Sequence, residues 1–185
     1  MGLLLPDAEG IYSETIPDLY DPALEAYRET RGLAHDGEAW RELWPGKHIQ
    51  ILYDAGQFYM GYTLANSPWK MLPHSFDSTC ISTTYPGAGD YSMIIRFAEP
   101  IKEMSKVCVD VNYLGGHNTA AGYTVRVGSS AGGNELIPGK EHRITGLAHG
   151  EHTVEIGLDQ TYEGKYLTLI IGYLTGQTLK IWTEA

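Results

Sequence analysis

Serine and histidine side chains are the first candidates for chemistry in this chain. Gly128-Ser129-Ser130-Ala131-Gly132 matches the Gly-x-Ser-x-Gly pattern, in which a sharp turn from strand to helix exposes the central serine as a nucleophile. The residues that follow, 133–138, are typical of a turn and a short strand, not of a helix. We therefore interpret Ser130 as part of a polar turn. None of the seven histidines occurs in a His-x-x-x-His pattern, and His149 and His152 flank a hairpin turn.

Carboxylate pairs are the second candidate, because glycoside hydrolysis needs two acids about 5–10 Å apart. The acids that such a pair could draw on are Asp77, Asp90, Asp110, Glu155, Asp159 and Glu163. Acids on outward strand positions are usually solvated, and the run 159–163 lacks the spaced Asp and Gly pattern of a calcium loop. We predict no catalytic residue, no metal site and no cofactor, with a hydrolase as the least favoured alternative.

Aromatic residues with a polar group are a more promising class. The chain has 13 Tyr and 4 Trp against only 3 Phe. Such rings stack on sugar faces and are enriched at interfaces, although β-propensity alone also favours Tyr in strands. The residues predicted to stack on a glycan are Tyr59, Tyr62, Trp69, Tyr85 and Tyr162.

The elements that position these rings are predicted from an alternating pattern after Pro45. Successive side chains of a strand point to opposite faces, so alternation indicates an antiparallel sheet with one buried face. Clear examples are Val107, Val109 and Val111, and likewise Leu179 with Ile181. The expected strands are 49–53, 58–64, 69–72, 79–84, 91–97, 105–113, 121–128, 134–137, 142–146, 152–158, 166–174 and 178–183. Many short strands separated by glycine turns favour a β-sandwich or jelly roll.

The N-terminal segment has a different pattern. Asp21-Pro22 predicts a helix start that continues to about Gly32. We therefore predict two parts: an irregular, partly helical arm over 1–47 and a β-sandwich over 48–185. The arm either caps the sandwich or docks on another subunit. Its interface anchors would be Tyr12, Tyr20, Trp40 and Trp44.

Composition limits the partners. The net charge of −10 argues against nucleic acid, which needs a basic surface, and against an anionic membrane. No run of 18 apolar residues occurs, and the opening residues lack the basic region of a signal peptide, so we expect synthesis in a cytoplasm. In that compartment Cys80 and Cys108 are expected as reduced thiols, and a bridge between them is the alternative.

Residues 49–185 resemble a β-sandwich module of bacteriophage tail and fibre proteins. The similar stretches are Ile51-Leu52-Tyr53-Asp54-Ala55-Gly56 followed by Trp69, Ile144-Thr145-Gly146-Leu147, the run 150–157, and Leu179-Lys180-Ile181-Trp182. The resemblance implies a virion structural protein, with other virion subunits as partners and surface carbohydrate as a plausible ligand. It also implies a homo-oligomer that is assembled in the host cytoplasm and located in the virion.

The sequence thus favours a non-enzymatic virion protein (tail, fibre or capsid decoration) whose arm attaches and whose sandwich is displayed. A carbohydrate-binding module of cellular origin is the alternative, and a jelly-roll hydrolase is the third.

Overall fold

The computed structural model describes residues 19–21, 26–28, 33–35, 40–42, 48–65 and 70–185. The chain divides into two compact units, Met1–Ile49 and Gln50–Ala185. In the described ranges all regular secondary structure is strand, and no helix occurs.

The described residues of the first unit form two antiparallel strand pairs. β1 (Leu19–Asp21) pairs with β2 (Ala26–Arg28), and β3 (Leu33–His35) pairs with β4 (Trp40–Glu42). Asp21 and Ala26–Arg28 belong to the segment predicted as a helix, yet they are strand residues. The remainder of that segment lies outside the described residues.

The described residues from Ile49 onward form a sheet of twelve strands. They are β5 (Ile49–Asp54), β6 (Gln57–Phe58), β7 (Tyr62–Ala65), β8 (Lys70–Met71), β9 (His74–Phe76), β10 (Ile81–Thr83), β11 (Tyr91–Phe97), β12 (Ile101–Gly116), β13 (Gly122–Gly128), β14 (Ile137–Arg143), β15 (Gly150–Gly172) and β16 (Leu174–Glu184).

The long strand β15 belongs to two halves of this sheet. Its residues 150–165 pair with β12, which pairs in turn with β16; β10 and then β9 follow, and β5 lies beside β16 with β6 next to it. We call this the first half-sheet. Residues 166–172 of β15 lie between β13 and β11, with β14 beyond β13, and with β7 and the parallel β8 beside β11. We call this the second half-sheet.

Both half-sheets contribute to one apolar core. Met93 and Ile95 of β11, Val125 of β13 and Val107 and Val109 of β12 are fully buried in a single cluster. A buried hydrogen bond joins the two half-sheets directly, because the hydroxyls of Tyr123 (β13) and Thr178 (β16) lie 3.1 Å apart. Each of the buried apolar side chains in this core contributes roughly 1.5–3 kcal/mol to the free energy of unfolding, because folding removes it from water.

The alternating pattern is confirmed for most strands, but Leu179 is an exception. It was expected to share the buried face of Ile181, yet it is only partly buried, while Thr178 is fully buried. The register explains this, since Asp110 faces Lys180 and Val111 faces Thr178, which leaves Leu179 as an extra residue in a β-bulge.

The prediction of one buried face is also incomplete. On β11 and β15, residues that point away from the core are nearly buried: Ser92 is 6% exposed, Ile94 5% and Thr168 3%. The opposite face of the second half-sheet is therefore partly shielded from solvent. This face carries the candidate site.

Candidate functional site

The face of the second half-sheet that points away from the core is built by strand alternation. Tyr123 and Val125 of β13 point into the core, so Thr124 and Arg126 must point the other way. Residues that face each other in register share a side of the sheet, so β13, β15 and β11 present three rows on this face. The rows are Gly122, Gly172 and Ser92; then Thr124, Ile170 and Ile94; then Arg126, Thr168 and Arg96.

A groove of about 680 Å³ lies on this face, and we call it the outer groove. Its floor is the first two rows, which are small or aliphatic. β14 adds Glu141 and Arg143 along one side, where their charges pair at 3.4 Å, and Asp90 and Tyr173 line it at one end. The size lies in the range of about 300–1,000 Å³ that is typical of ligand sites.

Two glycines keep the floor low for different reasons. A Cβ on Gly122 would lie 2.2 Å from the carbonyl oxygen of His142, so the close approach of β14 requires glycine there. A Cβ on Gly172 would meet only the Gly122 carbonyl oxygen, at 4.0 Å. The space above Gly172 is thus open to a ligand.

Tyr173 marks the end of the outer groove with an unusual backbone. Its φ is +54°, a region that bulky residues rarely adopt. Three hydrogen bonds hold it there: its amide donates to the Tyr91 carbonyl at 3.0 Å, its carbonyl accepts from the His117 amide at 3.0 Å, and its hydroxyl donates to Asp90 Oδ1 at 2.7 Å. The bond to the Asp90 carboxylate raises the pKa of Tyr173 to about 12.

Three aromatic rings lie close to Tyr173: those of Tyr85 and His117 lie next to it, and that of Tyr91 lies next to Tyr85. The Tyr173 ring lies 5.8 Å from the Tyr85 ring and 5.7 Å from the His117 ring, and the Tyr85 ring lies 6.1 Å from the Tyr91 ring. Tyr85 and His117 also line a second, smaller cavity of about 380 Å³. The rings therefore form one aromatic cluster next to the groove end.

Arg126 and Thr168 lie toward the other end of the same face. Arg126 Nε and Thr168 Oγ1 are buried and have no hydrogen-bond partner among the described residues. Buried polar groups normally find partners, since leaving one unpaired costs about 1–3 kcal/mol. The pair is an unsatisfied polar spot beside an open groove.

The predicted glycan-stacking residues do not form one site. Tyr85 belongs to the aromatic cluster, near Tyr91 at the start of β11. Tyr62 faces Phe97 at the end of β11, six residues and thus about 20 Å away. Tyr62 is 38% exposed and stacks on Phe58, with ring centroids 3.6 Å apart.

The other three stacking candidates have different outcomes. Tyr59 is 37% exposed in the turn after β6. Tyr162 is 5% exposed and its hydroxyl donates to Asp159 Oδ1 at 2.8 Å, so its ring has no free face, and the proposed role in stacking is wrong. Trp69 lies outside the described residues.

The predicted docking residues fall in the first unit. Tyr20 lies opposite Tyr27 in the β1–β2 pair, and Trp40 lies opposite His35 in the β3–β4 pair. Tyr12 and Trp44 lie outside the described residues.

The serine motif occupies a turn after β13. The carbonyl of Ser130 accepts the Gly133 amide at 2.9 Å, and both the amide and the hydroxyl of Ser129 donate to Glu135 Oε1. These bonds lower the pKa of Glu135 to about 2. The turn is followed by bends and β14 rather than by a helix, so the local structure is not the strand–turn–helix of a nucleophile elbow.

Several candidate carboxylates have local partners instead of each other. Asp110 accepts the Thr153 hydroxyl at 2.7 Å, and Glu155 pairs with Lys106 at 2.9 Å. Asp77 accepts the amides of Thr79 and Cys80 and the Thr79 hydroxyl, which lowers its pKa to about 2. A general acid needs a raised pKa, whereas the pKa of Asp77 is lowered.

The possible calcium stretch and the two cysteines also have defined places. Residues 159–163 are part of the extended strand β15, not a loop. Within the described part of the chain no group of three or more His, Cys, Asp or Glu side chains is arranged to hold a metal ion. Cys80 and Cys108 are both buried and free, and burial raises the pKa of Cys108 to about 12.

Comparisons with known proteins provide no family for this chain: no protein-family model matches it, and no curated protein is found to match its sequence. Among the described residues, no helix has the length and apolar character needed to cross a membrane.

Sequence reasoning missed Gly172, Tyr173 and Arg126, which line the outer groove, and Thr168, which lies opposite Arg126. Thr124 and Arg126 alternate with buried residues, a pattern that is typical of an ordinary solvated strand face. The one available signal was Gly172-Tyr173, where a glycine interrupts an apolar strand and a tyrosine follows, since glycine within a strand often marks close approach of a ligand or backbone.

Proposed function

We propose that this protein is a non-enzymatic β-sandwich that binds a surface glycan in the outer groove and is displayed on a bacteriophage virion. The observation that carries the binding part is the groove itself. An open floor at Gly172 lies beside the hydrogen-bonded ring of Tyr173. A site with few positioned polar groups around an apolar floor is typical of small-molecule binding.

The chemistry of the groove suits carbohydrate. A sugar ring has apolar C–H faces and polar hydroxyl edges. Ile94 and Ile170 offer an apolar floor, while Ser92, Thr124 and the Glu141–Arg143 pair offer hydrogen bonds along it. Tyr173 supplies a ring that its three hydrogen bonds hold in place, which lowers the entropy lost on binding.

The finer fold assignment is part of this proposal. We infer that the two half-sheets pack face to face as a sandwich or jelly roll. The shared core and the buried Tyr123–Thr178 hydrogen bond support it. In that arrangement the outer groove is on the solvent side of one layer.

The virion role is supported by the resemblance of 49–185 to modules of phage tail and fibre proteins. The N-terminal unit would attach to other virion subunits, in a homo-oligomer, and the second unit would face the host. A carbohydrate-binding module of cellular origin would use the same groove and is the second candidate.

Glycan binding is tested on an array with purified wild-type protein and three variants. Gly172→Val should fill the groove without removing a polar group, and Tyr173→Ala should remove the ring. We expect each to weaken binding at least tenfold, while the control Tyr62→Ala, on a distant ring cluster, keeps wild-type affinity. Binding that survives both groove variants would place the ligand elsewhere, and no binding to any glycan would reject the function.

The virion role is tested separately in infected cells. Deleting residues 1–45 should abolish incorporation into particles while the remaining chain still folds and binds glycan. Incorporation of the shortened protein at wild-type levels would contradict an attaching arm. Absence of the full-length protein from purified particles would favour the cellular alternative.

A further inference from the structure

We propose that the outer groove selects an acidic glycan and that Arg126 binds its carboxylate. This inference rests on the proposed glycan-binding function and specifies its ligand class. It starts from the charges of the groove, which are not evenly distributed along it.

The acidic side chains that line the outer groove already have partners. Asp90 accepts the Tyr173 hydroxyl at 2.7 Å, and Glu141 pairs with Arg143 at 3.4 Å. Arg126 lines the same groove, but none of the ion pairs of the described residues includes it. Within the described part of the chain, Arg126 is therefore a groove cation with no ion-pair partner.

The surroundings of Arg126 strengthen this imbalance. Thr168 faces it in register, is 3% exposed, and has an unpaired hydroxyl; on the next strand Arg96 faces Thr168 from the other side. Thr168 thus lies between two arginines in the sheet register, in a protein whose net charge is −10. Because the chain as a whole is acidic, an anion is attracted to this local positive charge and not to the protein surface in general.

Carboxylate is the group that this spot fits best. No hydrogen bond to another described residue fixes the guanidinium of Arg126, so rotation of its side chain can present Nε and one Nη to the groove. A carboxylate accepts two parallel N–H bonds from such a fork. Desolvation on the partly covered strand face strengthens these charge-assisted bonds.

The spacing allows the acidic group and a stacked sugar to belong to one ligand. Arg126 lies four residues from Gly122 on β13, and Gly122 faces Gly172, which precedes Tyr173. At about 3.3 Å per residue this separation is about 13 Å along the groove. A short oligosaccharide could therefore contact Tyr173 with one residue and Arg126 with the carboxylate of another.

The test compares matched pairs of oligosaccharides: uronic-acid and sialic-acid glycans, and the same glycans with the carboxyl group reduced to an alcohol. Sulfated glycans form a third arm. Wild-type protein should bind the acidic member about ten- to a hundredfold more tightly, as expected for hydrogen bonds to a charged group. The preference should shrink as salt is raised.

Three variants assign the preference to a residue. Arg126→Gln should abolish it, Arg126→Lys should keep part of it because the charge remains without the fork, and the control Lys140→Gln should not change it. Lys140 is an exposed cation on β14 that does not line the groove. The melting temperature of each variant verifies that it is folded.

Each outcome decides the question. Equal binding of acidic and reduced glycans would overturn the acid preference and leave glycan binding standing. Preference for sulfated over carboxylated glycans would overturn the carboxylate, and a preference that survives Arg126→Gln would overturn the role of Arg126. No binding to any glycan would reject the proposed function and this inference together.

Discussion

Tyr173 has a backbone conformation that costs free energy unless neighbouring groups compensate. A positive φ in a bulky residue costs about 1–3 kcal/mol and is commonly retained where a side chain must point in one direction. Here the direction is set by the bonds to Tyr91, His117 and Asp90. The ring is therefore held ready at the groove end before any ligand arrives.

The hydroxyl of Tyr173 gives a prediction for alkaline pH. The Asp90 carboxylate raises its pKa to about 12, against about 10 in an unfolded chain. The folded state keeps this proton longer, so the stability that the bond contributes is present below about pH 10 and is lost as the pH rises toward 12. Asp90→Asn should move the Tyr173 pKa back toward 10, measured by NMR titration of labelled tyrosines. Asp110→Asn is the control, and a Tyr173 pKa unaffected by Asp90→Asn would contradict the assignment.

Two glycines with positive φ allow the cost of backbone strain to be separated from the cost of a steric clash. One is Gly56, in the turn between β5 and β6, and the other is Gly87, between β10 and β11. Gly56 has φ +82°, and a Cβ there would lie 2.4 Å from the Asp77 carbonyl oxygen. Gly87 has φ +95°, with nothing within 4 Å of its Cβ position. We expect Gly87→Ala to lower the free energy of unfolding by roughly 1–2 kcal/mol through backbone strain, and Gly56→Ala by clearly more. Urea unfolding measures both, and equal losses would show that the clash relaxes.

At the scale of elements, the hydrogen bond between β13 and β16 is the direct polar link between the half-sheets described above. Tyr123→Phe would leave the Thr178 hydroxyl buried and unpaired, which we expect to cost about 1–3 kcal/mol, and Thr178→Val should cost a similar amount. The double variant should cost less than the sum of the two, because no unpaired hydroxyl remains. Strictly additive losses in urea unfolding would show that the two hydroxyls do not interact.

Strand β15 shows how far the sequence alone predicts these elements. Alternation predicts strands at 152–158 and 166–174 and leaves 159–165 outside them. The structure has one strand from Gly150 to Gly172, in which Tyr162 faces Met104 and Glu163 faces Glu103 on β12. Alternation reveals which residues enter a core, as β11 shows with its expected bounds. It does not reveal a strand that pairing with a distant partner extends through polar residues.

The groove was harder to predict for a related reason. Its floor depends on which residues of β13, β15 and β11 share a register row, and these strands are separated by many residues in the sequence. Gly172 is informative only once Gly122 and Ser92 are known to lie beside it. Aromatic composition led to Tyr162, which is buried, and not to Tyr173, which lines the groove.

At the scale of the whole molecule, the two compact units predict separable folding. Residues 48–185 produced alone should show a single cooperative melting transition within a few degrees of that of the full chain. The twelve-stranded sheet and its core lie almost entirely in the second unit, so the first should add little to its unfolding free energy. Calorimetry on both proteins makes this comparison. Loss of cooperativity in the shortened chain would mean that the second unit needs the first.

The shared strand β15 has a consequence for folding during synthesis on the ribosome. Residues 150–172 provide neighbours for β11, β12 and β13, all of which are synthesised earlier, and β16 adds the remaining neighbour of β12. Until these late strands emerge, the strands before them have few partners and their apolar faces stay open to water or to chaperones. Closing such distant pairs is slow compared with forming a local hairpin. The nascent chain therefore stays largely unfolded until β15 and β16 have been synthesised. A premature stop before Gly150 would yield an aggregation-prone fragment instead of a smaller domain.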